Sequence, residues 1–209
     1  MDKTLLRCNS GRLWINYLRR RGEMTRFEMI RALGWLMQYK FAVLDFDGIT
    51  RRVVAGMAGD SEAELEEKCR QWVDEEILRE VHVPAKERIE RHRKDGHLCV
   101  ILSSSSRYVT EPLAEALGLD GVLCTRIEVQ GGKFTGRIHA PVCYGTGKVH
   151  WAEQFAAEKQ IDLAQSWFYT DSYSDLPMLR RVGQRVVINP DPRLRRYARR
   201  AGWTVEEWR

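Results

Sequence analysis

The 209-residue sequence predicts an α/β fold in which a mostly parallel sheet is flanked by helices, with an all-helical segment inserted near the N-terminus. Two observations lead to this prediction. Residues 10–82 carry only helical patterns, whereas from residue 84 onward short apolar runs alternate with helical patterns. Because strands that alternate with helices form parallel sheets covered on both faces, the second region predicts a layered core.

The composition is that of a globular protein, with 44% hydrophobic and 30% charged residues. The net charge of +5 suits an anionic ligand. Five cysteines are scattered without a CxxC pair, which predicts reduced thiols and a cytoplasmic location. The longest apolar stretch, residues 29–46, is interrupted by charged side chains, so we expect no transmembrane segment.

The N-terminal region predicts consecutive helices. Ser61 is a candidate N-cap, and Glu64 follows three residues later, which is the spacing of a capping box. The predicted helices cover residues 11–21, 26–40, 49–57 and 61–81. Trp14, Trp35 and Trp72 would either line a pocket or form the core of this region, and the core is the favoured interpretation.

The second region predicts short strands joined by helices, and Gly131-Gly132 marks a hairpin. The predicted strands cover residues 98–102, 122–123, 126–129, 133–138, 166–169 and 186–188. The predicted helices cover residues 86–94, 110–117, 148–159, 176–182 and 193–201. Ligands bind beyond the carboxyl ends of parallel strands, so the residues after each strand are the candidates for a site.

Polar residues follow two of these strands. Ser103 and Ser104 come after residues 98–102 and offer donors to a phosphate, although a serine-rich loop that caps the next helix is the alternative. Asp171 and Asp175 come after residues 166–169 and suit Mg²⁺, although Asp175 could instead cap the next helix. Between them, Lys148 begins a helix and could neutralise a phosphoryl group, hold a carboxylate or be solvated.

The order strand–serine, lysine at a helix start and strand–Asp-x-x-x-Asp resembles the haloacid-dehalogenase (HAD) phosphatase superfamily over essentially the whole chain. The resemblance is closest to its subfamily IB, the phosphoserine-phosphatase-like branch. It implies a Rossmann-like core from residues 1–8 and 84–209, with a C1-type helical cap from residues 9–83. It also implies that Ser103 and Ser104 bind phosphate, that Lys148 balances charge, and that Asp171 and Asp175 hold Mg²⁺.

Two places compete for the family's first motif, Asp-x-Asp-x-Thr. In Met1-Asp2-Lys3-Thr4, the register makes Asp2 the second aspartate, so the nucleophilic aspartate would precede Met1. Asp2 would then be the general acid and base, and its backbone carbonyl would bind the metal. Asp45 and Asp47 also follow an apolar run, but Ile49 stands where threonine is expected. We favour the first register, which implies a core without its first strand and a chain that hydrolyses little as it stands.

The resemblance implies a Mg²⁺-dependent phosphomonoester hydrolase that acts through an aspartyl-phosphate. Asn9 stands where phosphoserine phosphatases carry a glutamate for the substrate amine, so we expect another small phosphorylated metabolite or a phospholipid headgroup rather than phosphoserine. The alternatives are phosphoryl transfer to another acceptor, an inactive HAD-fold protein, and an anion- or nucleic-acid-binding module that uses the arginines of residues 19–21 and 193–200. Nucleic-acid binding is not expected, and the sequence does not indicate an oligomeric state.

Overall fold

The computed structural model describes residues 1–23 and 45–208. The predicted helix over residues 26–40, the apolar run before Asp45, and Trp35 lie outside the described residues. The described helices are α1 (Ser10–Arg20), α2 (Phe46–Ala55), α3 (Glu62–Glu75), α4 (Val83–Lys94), α5 (Arg107–Ala116), α6 (Thr146–Lys159), α7 (Leu176–Arg181) and α8 (Pro192–Ala201). The strands are β1 (Val100–Ser106), β2 (Gly121–Thr125), β3 (Ile127–Gln130), β4 (Lys133–Ile138), β5 (Trp167–Thr170), β6 (Gln184–Ile188) and β7 (Thr204–Glu206).

The parallel strands form two separate sheets. β1 pairs with β2, while β5, β6 and β7 form a second sheet in that order, and every pair within these two sheets is parallel. β3 and β4 form the predicted antiparallel hairpin. The predicted α/β architecture is therefore confirmed. None of the described helices combines the length and the apolar character needed to cross a lipid bilayer.

The end of β1 differs from the prediction. The predicted strand ended at Leu102 and was followed by a serine loop, whereas the observed strand continues to Ser106. Ser103 pairs with Cys124, and after a shift of register Ser106 pairs with Thr125. Pairing with β2 at Ser103 and Ser106 extends the strand, and this tertiary contact outweighs the weak strand propensity of serine.

The helix predicted over residues 61–81 is also shorter than expected. Ser61 caps α3 as predicted, since its side chain accepts a hydrogen bond from the backbone N–H of Glu64 at 3.4 Å. The helix ends at Glu75, and a 3₁₀ turn, Ile77–Glu80, follows. The sequence pattern did not reveal this break, because Ile77, which lies beyond it, is also fully buried in the core and continues the helical spacing of apolar residues.

The main core cluster joins the helical region to the first sheet. Tyr17 and Trp72 from the helices pack in one cluster with Ile101 of β1 and Leu113 of α5. The ring of Trp14 meets that of Trp72 edge-on, with centroids 4.9 Å apart. Trp14 and Trp72 therefore belong to the core, as the sequence favoured. The residue ranges assigned to cap and catalytic core remain our proposal.

His82 lies buried at the start of α4, and neither ring nitrogen has a hydrogen-bond partner among the described residues. Burial lowers its pKa below 6.5, and the positive charge of Arg7 lowers it further. The unfolded chain then binds more protons than the native state below about pH 6.5, so stability falls as the pH drops.

Between pH 7.5 and 5.5, the free energy of unfolding should fall by about 1 kcal/mol less in His82→Phe than in the wild type, because phenylalanine cannot be protonated. Urea unfolding at the two pH values measures this difference. His150→Phe, at an exposed position, is the matched control and should keep the wild-type difference. An unchanged difference in His82→Phe would contradict the assignment.

Candidate active site

Charged groups gather where the parallel strands end. The α-amine of Met1 is buried and interacts electrostatically with Lys148, Asp2, Asp171 and Asp175. Burial lowers the pKa of this amine, and the charge of Lys148 lowers it further. The structure thus brings together the candidate catalytic and metal-binding residues that the sequence singled out, and it adds the backbone nitrogen of Met1 to the group.

Lys148 and Asp175 form a buried ion pair. The Nζ atom of Lys148 lies 2.7 Å from Oδ1 and 2.8 Å from Oδ2 of Asp175, and the two residues are 7% and 3% exposed. The hydroxyl of Thr170 also donates to Oδ2, at 2.6 Å. Asp175 makes no side-chain cap at the start of α7, so the helix-cap alternative is wrong. Lys148 holds a carboxylate, which was one of its predicted roles.

Glycines permit the turn that places Lys148. Gly145 has a φ of 53°, which favours glycine, and α6 begins at the next residue. A Cβ atom on Gly147 would lie 1.9 Å from the backbone oxygen of Val142, so no side chain fits there. The backbone can therefore approach closely one residue before Lys148, and the lysine enters the site from the first turn of the helix.

Asp171 comes directly after β5, at the predicted strand end. The hydroxyl of Thr4 lies 3.5 Å from its Oδ1 atom. Burial raises the pKa of Asp171 to about 6, and the charge of Asp175 also raises it, while the amine of Met1 and Lys3 oppose this shift. Burial, which disfavours the charged carboxylate, is the largest cause of this upward shift of the pKa.

Asp191 is a supporting residue that the sequence analysis did not select. Its backbone N–H donates to the carbonyl oxygen of Asp171 at 2.8 Å, and its Oδ2 atom accepts from the backbone N–H of Tyr173 at 2.6 Å. Its Oδ1 atom caps α8 by accepting from Arg193 and Leu194. Its place just after β6, at the carboxyl edge of the sheet, was the available signal.

The side chain of Asp2 contacts the first residue of α1, Ser10. Its Oδ2 atom accepts from the backbone N–H of Ser10 at 3.0 Å, while its Oδ1 atom is buried and has no hydrogen-bond partner within residues 1–23 and 45–208. Burial raises the pKa of Asp2, whereas the amine of Met1 opposes the shift. Asn9 caps the same helix, since its Oδ1 atom accepts from the backbone N–H of Arg12 at 3.0 Å. A contact of Asn9 with substrate stays a prediction.

Ser103 and Ser104 lie within β1 rather than in a loop after it. Ser103 is buried, and its Oγ atom accepts from the backbone N–H of Ser105 at 3.2 Å, which leaves the hydroxyl proton free to donate. The backbone oxygen of Ser104 accepts from the hydroxyl of Thr125 at 3.0 Å. Among the described residues, no hydrogen bond joins either serine to Lys148 or the aspartates. Their phosphate-binding role stays a prediction.

Asp45 and Asp47, the alternative candidates for the first motif, have structural roles in α2. Asp45 is exposed and caps this helix, since its Oδ1 atom accepts from the backbone N–H of Gly48 at 3.0 Å. Asp47 pairs with Arg51 one turn later, at 2.5 Å. Both carboxylates therefore have local structural partners. The ring of Phe46 stacks on Tyr144 at 4.2 Å, which ties the start of α2 to the loop before Lys148.

The donors present fit Mg²⁺ in their chemistry. Asp2, Asp171 and Asp175 offer hard oxygen atoms, and the buried Oδ1 atom of Asp2 has no hydrogen-bond partner in the part of the chain that the structure describes. A divalent cation would offset the negative charge that these residues concentrate. Within residues 1–23 and 45–208, however, no three His, Cys, Asp or Glu side chains already converge as a metal site. Both oxygens of Asp175 contact Lys148 instead.

A layered α/β core with a lysine–aspartate pair at its carboxyl edge is the arrangement of a hydrolase of the HAD type. The model of the haloacid dehalogenase-like hydrolase family matches residues 1–180, and the chain belongs to this family. The predicted membership is therefore confirmed.

Known relatives carry phosphatase names. The phosphoserine phosphatase SerB1 of Mycobacterium tuberculosis is 32% identical over all of this chain and 69% of its own length. The histidinol-phosphatase of Neisseria meningitidis is 28% identical over 98% of this chain and 95% of its own length.

Solved structures share the fold. A protein of unknown function from Bordetella pertussis has a TM-score of 0.88 at 29% identity, covering 98% of this chain and 94% of its own. A phospho-aspartyl intermediate analogue of phosphoserine phosphatase has a TM-score of 0.67 at 20% identity, covering 94% of this chain and 87% of its own. The latter likeness concerns the fold alone.

Proposed function

We propose that this chain is the catalytic unit of a Mg²⁺-dependent phosphomonoester hydrolase that acts through an aspartyl-phosphate. The observation that carries the proposal is the buried Lys148–Asp175 pair beside Asp2 and Asp171, at the carboxyl edge of a HAD-family core. The phosphatase names of two relatives that match nearly the whole chain support the reaction class. We place this activity in the cytoplasm, since the five cysteines are free thiols.

The nucleophile in this proposal is an aspartate joined to the nitrogen of Met1. That nitrogen lies among Lys148, Asp171 and Asp175, so a side chain one residue earlier reaches the same charged group. Asp45 is the weaker candidate because it is exposed and already caps α2. A chain that starts at Met1 is then expected to be inactive, because neighbouring groups do not replace a nucleophile.

The residues of this chain would act in sequence. In this proposal the ammonium group of Lys148, which is bonded to Asp175, also neutralises a phosphoryl oxygen, and the hydroxyl of Ser103 donates to another. Asp2 protonates the leaving alcohol and then removes a proton from the water that attacks the aspartyl-phosphate. Bound Mg²⁺, held by Asp171, Asp175 and the backbone of Asp2, would add positive charge at the phosphoryl group.

The substrate in this proposal is a small phosphorylated metabolite or a phospholipid headgroup other than phosphoserine. Asn9 is neutral, and its amide oxygen is used to cap α1, so this position offers no negative charge for an ammonium group. Three substrates test this choice. L-phosphoserine and L-histidinol phosphate correspond to the names of the two relatives, and sn-glycerol 3-phosphate represents a phospholipid headgroup.

The test uses a chain with five added residues, Val-Ala-Ile-Phe-Asp, before Met1, here called the extended chain. Phosphate release from the three substrates is measured with Mg²⁺ and with EDTA. We expect turnover only with Mg²⁺, and a loss of at least about 1,000-fold when the added aspartate is replaced by asparagine. Alcohols added to the assay test for phosphoryl transfer, because a transferred phosphoryl group appears as a new phosphate ester instead of free phosphate.

Other outcomes would contradict the proposal in distinct ways. Equal turnover by the chain that starts at Met1 would remove the added aspartate from the mechanism and return Asp45 to consideration. Undiminished turnover in EDTA would remove the metal. A clear preference for L-phosphoserine would overturn the inference from Asn9.

A further inference from the structure

The net charge of this chain is concentrated on one helix. α8, Pro192–Ala201, carries five arginines and no acidic residue, so its charge equals the net charge of +5 of the whole chain at pH 7. The rest of the chain is therefore neutral overall. Four of the five arginines are exposed and are here called the arginine face, namely Arg193, Arg196, Arg199 and Arg200. Positive charge gathered on one side of a protein attracts anionic partners to that side.

The arginine face has no counter-charge of its own. Within residues 1–23 and 45–208, none of its four side chains has an ion pair or a side-chain hydrogen bond. In the other arginine-rich segment, by contrast, Arg20 pairs with Glu76, and Arg21 pairs with Glu23 at 2.7 Å. Like charges three or four positions apart destabilise a helix. An anionic partner would relieve this repulsion within α8.

A groove of about 390 Å³ lies along the same helix. It is lined by Pro192, Arg195, Arg196, Arg199 and Arg200. Arg195 is partly neutralised, since it pairs with Glu207 at 2.5 Å. Guanidinium groups bind phosphate through paired, charge-assisted hydrogen bonds. The groove therefore offers donors to the phosphate of an anionic headgroup.

The arginine face can bind a partner only through charge. The apolar side chains of α8 belong to the core, since Leu194 and Ala198 are both 0% exposed. Its aromatic residue, Tyr197, is half-buried with its ring 5.2 Å from that of Trp203, and its hydroxyl accepts from Arg180 at 3.0 Å. Single-stranded nucleic acids need aromatic rings on which their bases stack. An anionic lipid surface, in contrast, attracts clusters of four or more basic side chains through its surface potential.

We propose that the arginine face docks this protein on the anionic surface of a phospholipid bilayer. The contact is electrostatic and peripheral, because no apolar side chain of α8 is available for insertion. The proposal goes beyond the proposed function and does not depend on it, since docking requires no turnover.

Docking through α8 also has a consequence for the candidate active site. Asp191, which caps α8, donates its backbone N–H to the carbonyl oxygen of Asp171 at 2.8 Å and accepts from the backbone N–H of Tyr173 at 2.6 Å. The helix therefore begins beside the aspartates of the site. A protein docked through this helix holds the site close to the headgroups of the membrane.

Vesicle flotation with the chain that starts at Met1 tests the proposal. Anionic vesicles, in which phosphatidylglycerol makes up about a third of the lipid, are compared with vesicles of phosphatidylcholine alone. We expect binding to the anionic vesicles only, at about 0.1 M salt, and release at about 1 M salt, where charges are screened beyond about 3 Å. Changing the four residues of the arginine face to glutamine should weaken binding at least about 100-fold, since each arginine near such a surface contributes about fivefold.

A matched variant removes four exposed positive charges elsewhere on the chain. Its substitutions are Arg12→Gln, Arg19→Gln, Arg126→Gln and Lys133→Gln. It has the same net charge as the α8 variant, but it should weaken vesicle binding by less than about 10-fold, because these side chains lie outside the arginine face. Both variants should keep the thermal midpoint of the parent within about 3 °C, because the changed side chains are exposed.

Three outcomes would overturn the proposal. Equal weakening in the two variants would mean that binding follows net charge instead of the arginine face. Failure to bind anionic vesicles, or equal binding to neutral ones, would mean that no anionic surface is recognised. Tighter binding of a single-stranded or duplex oligonucleotide, lost in the α8 variant, would identify a nucleic acid as the partner. An extended chain without phosphatase activity would refute the proposed function alone, because none of these measurements involves phosphate release.

Discussion

Replacing Lys148 with methionine is expected to lower the free energy of unfolding by about 3–5 kcal/mol, because the carboxylate of Asp175 is left buried without its counter-charge. The two side chains are only 8% and 5% exposed, so water cannot replace the lost ammonium group. Methionine keeps most of the volume of the lysine stem, and the loss therefore reports the charge rather than a cavity. Urea unfolding at pH 7 measures it.

Two control variants test whether the loss of stability comes from the unpaired charge of Asp175. Lys159→Met, at the exposed end of the same helix, should change stability by no more than about 0.5 kcal/mol. Adding Asp175→Leu to Lys148→Met should recover part of the loss, because a pair replaced by apolar groups leaves no buried charge. A loss below about 1 kcal/mol in Lys148→Met would mean that Asp175 is compensated by other groups.

The sequence predicted that Lys148 and Asp175 belong to the site, but it did not predict the ion pair between them. Lys148 was predictable as the start of a helix and Asp175 as part of a strand–helix junction, from local pattern alone. Their contact joins residues 27 apart through the packing of α6 beside α7, which no local pattern encodes. The family resemblance supplied the roles, and the structure supplied the geometry and the added donor, Thr170.

The errors in the fold prediction have the same physical origin. Serines 103–106 were predicted as a loop because serine has weak strand propensity, but pairing with β2 extends the strand. β7, Thr204–Glu206, was missed because three residues give too short a period to detect, and β6 holds it in place. The longer helices α6 and α8 were predicted to within two residues at each end.

Asp2 was selected by aligning the family's first motif with residues 1–4 rather than by a local pattern, and its catalytic role stays a prediction. The Oδ2 atom of Asp2 accepts from the start of α1 at Ser10, and its Oδ1 atom is buried without a partner in the described part of the chain. Burial raises its pKa, which extends the protonated form toward neutral pH. A carboxyl group held in this way suits a general acid.

We therefore expect Asp2→Asn in the extended chain to lower kcat for an alkyl phosphate by about 100- to 10,000-fold at pH 7. Asparagine can still accept the hydrogen bond from the backbone N–H of Ser10, so the thermal midpoint should stay close to that of the parent. Asp2→Ala should lose about 1 kcal/mol with this hydrogen bond. In the first step, measured as the burst of alcohol release, the loss should be much smaller for p-nitrophenyl phosphate, whose leaving group departs without a proton. Equal losses in this step for the two substrates would contradict protonation of the leaving group by Asp2, whereas the later attack of water on the aspartyl-phosphate is common to both substrates.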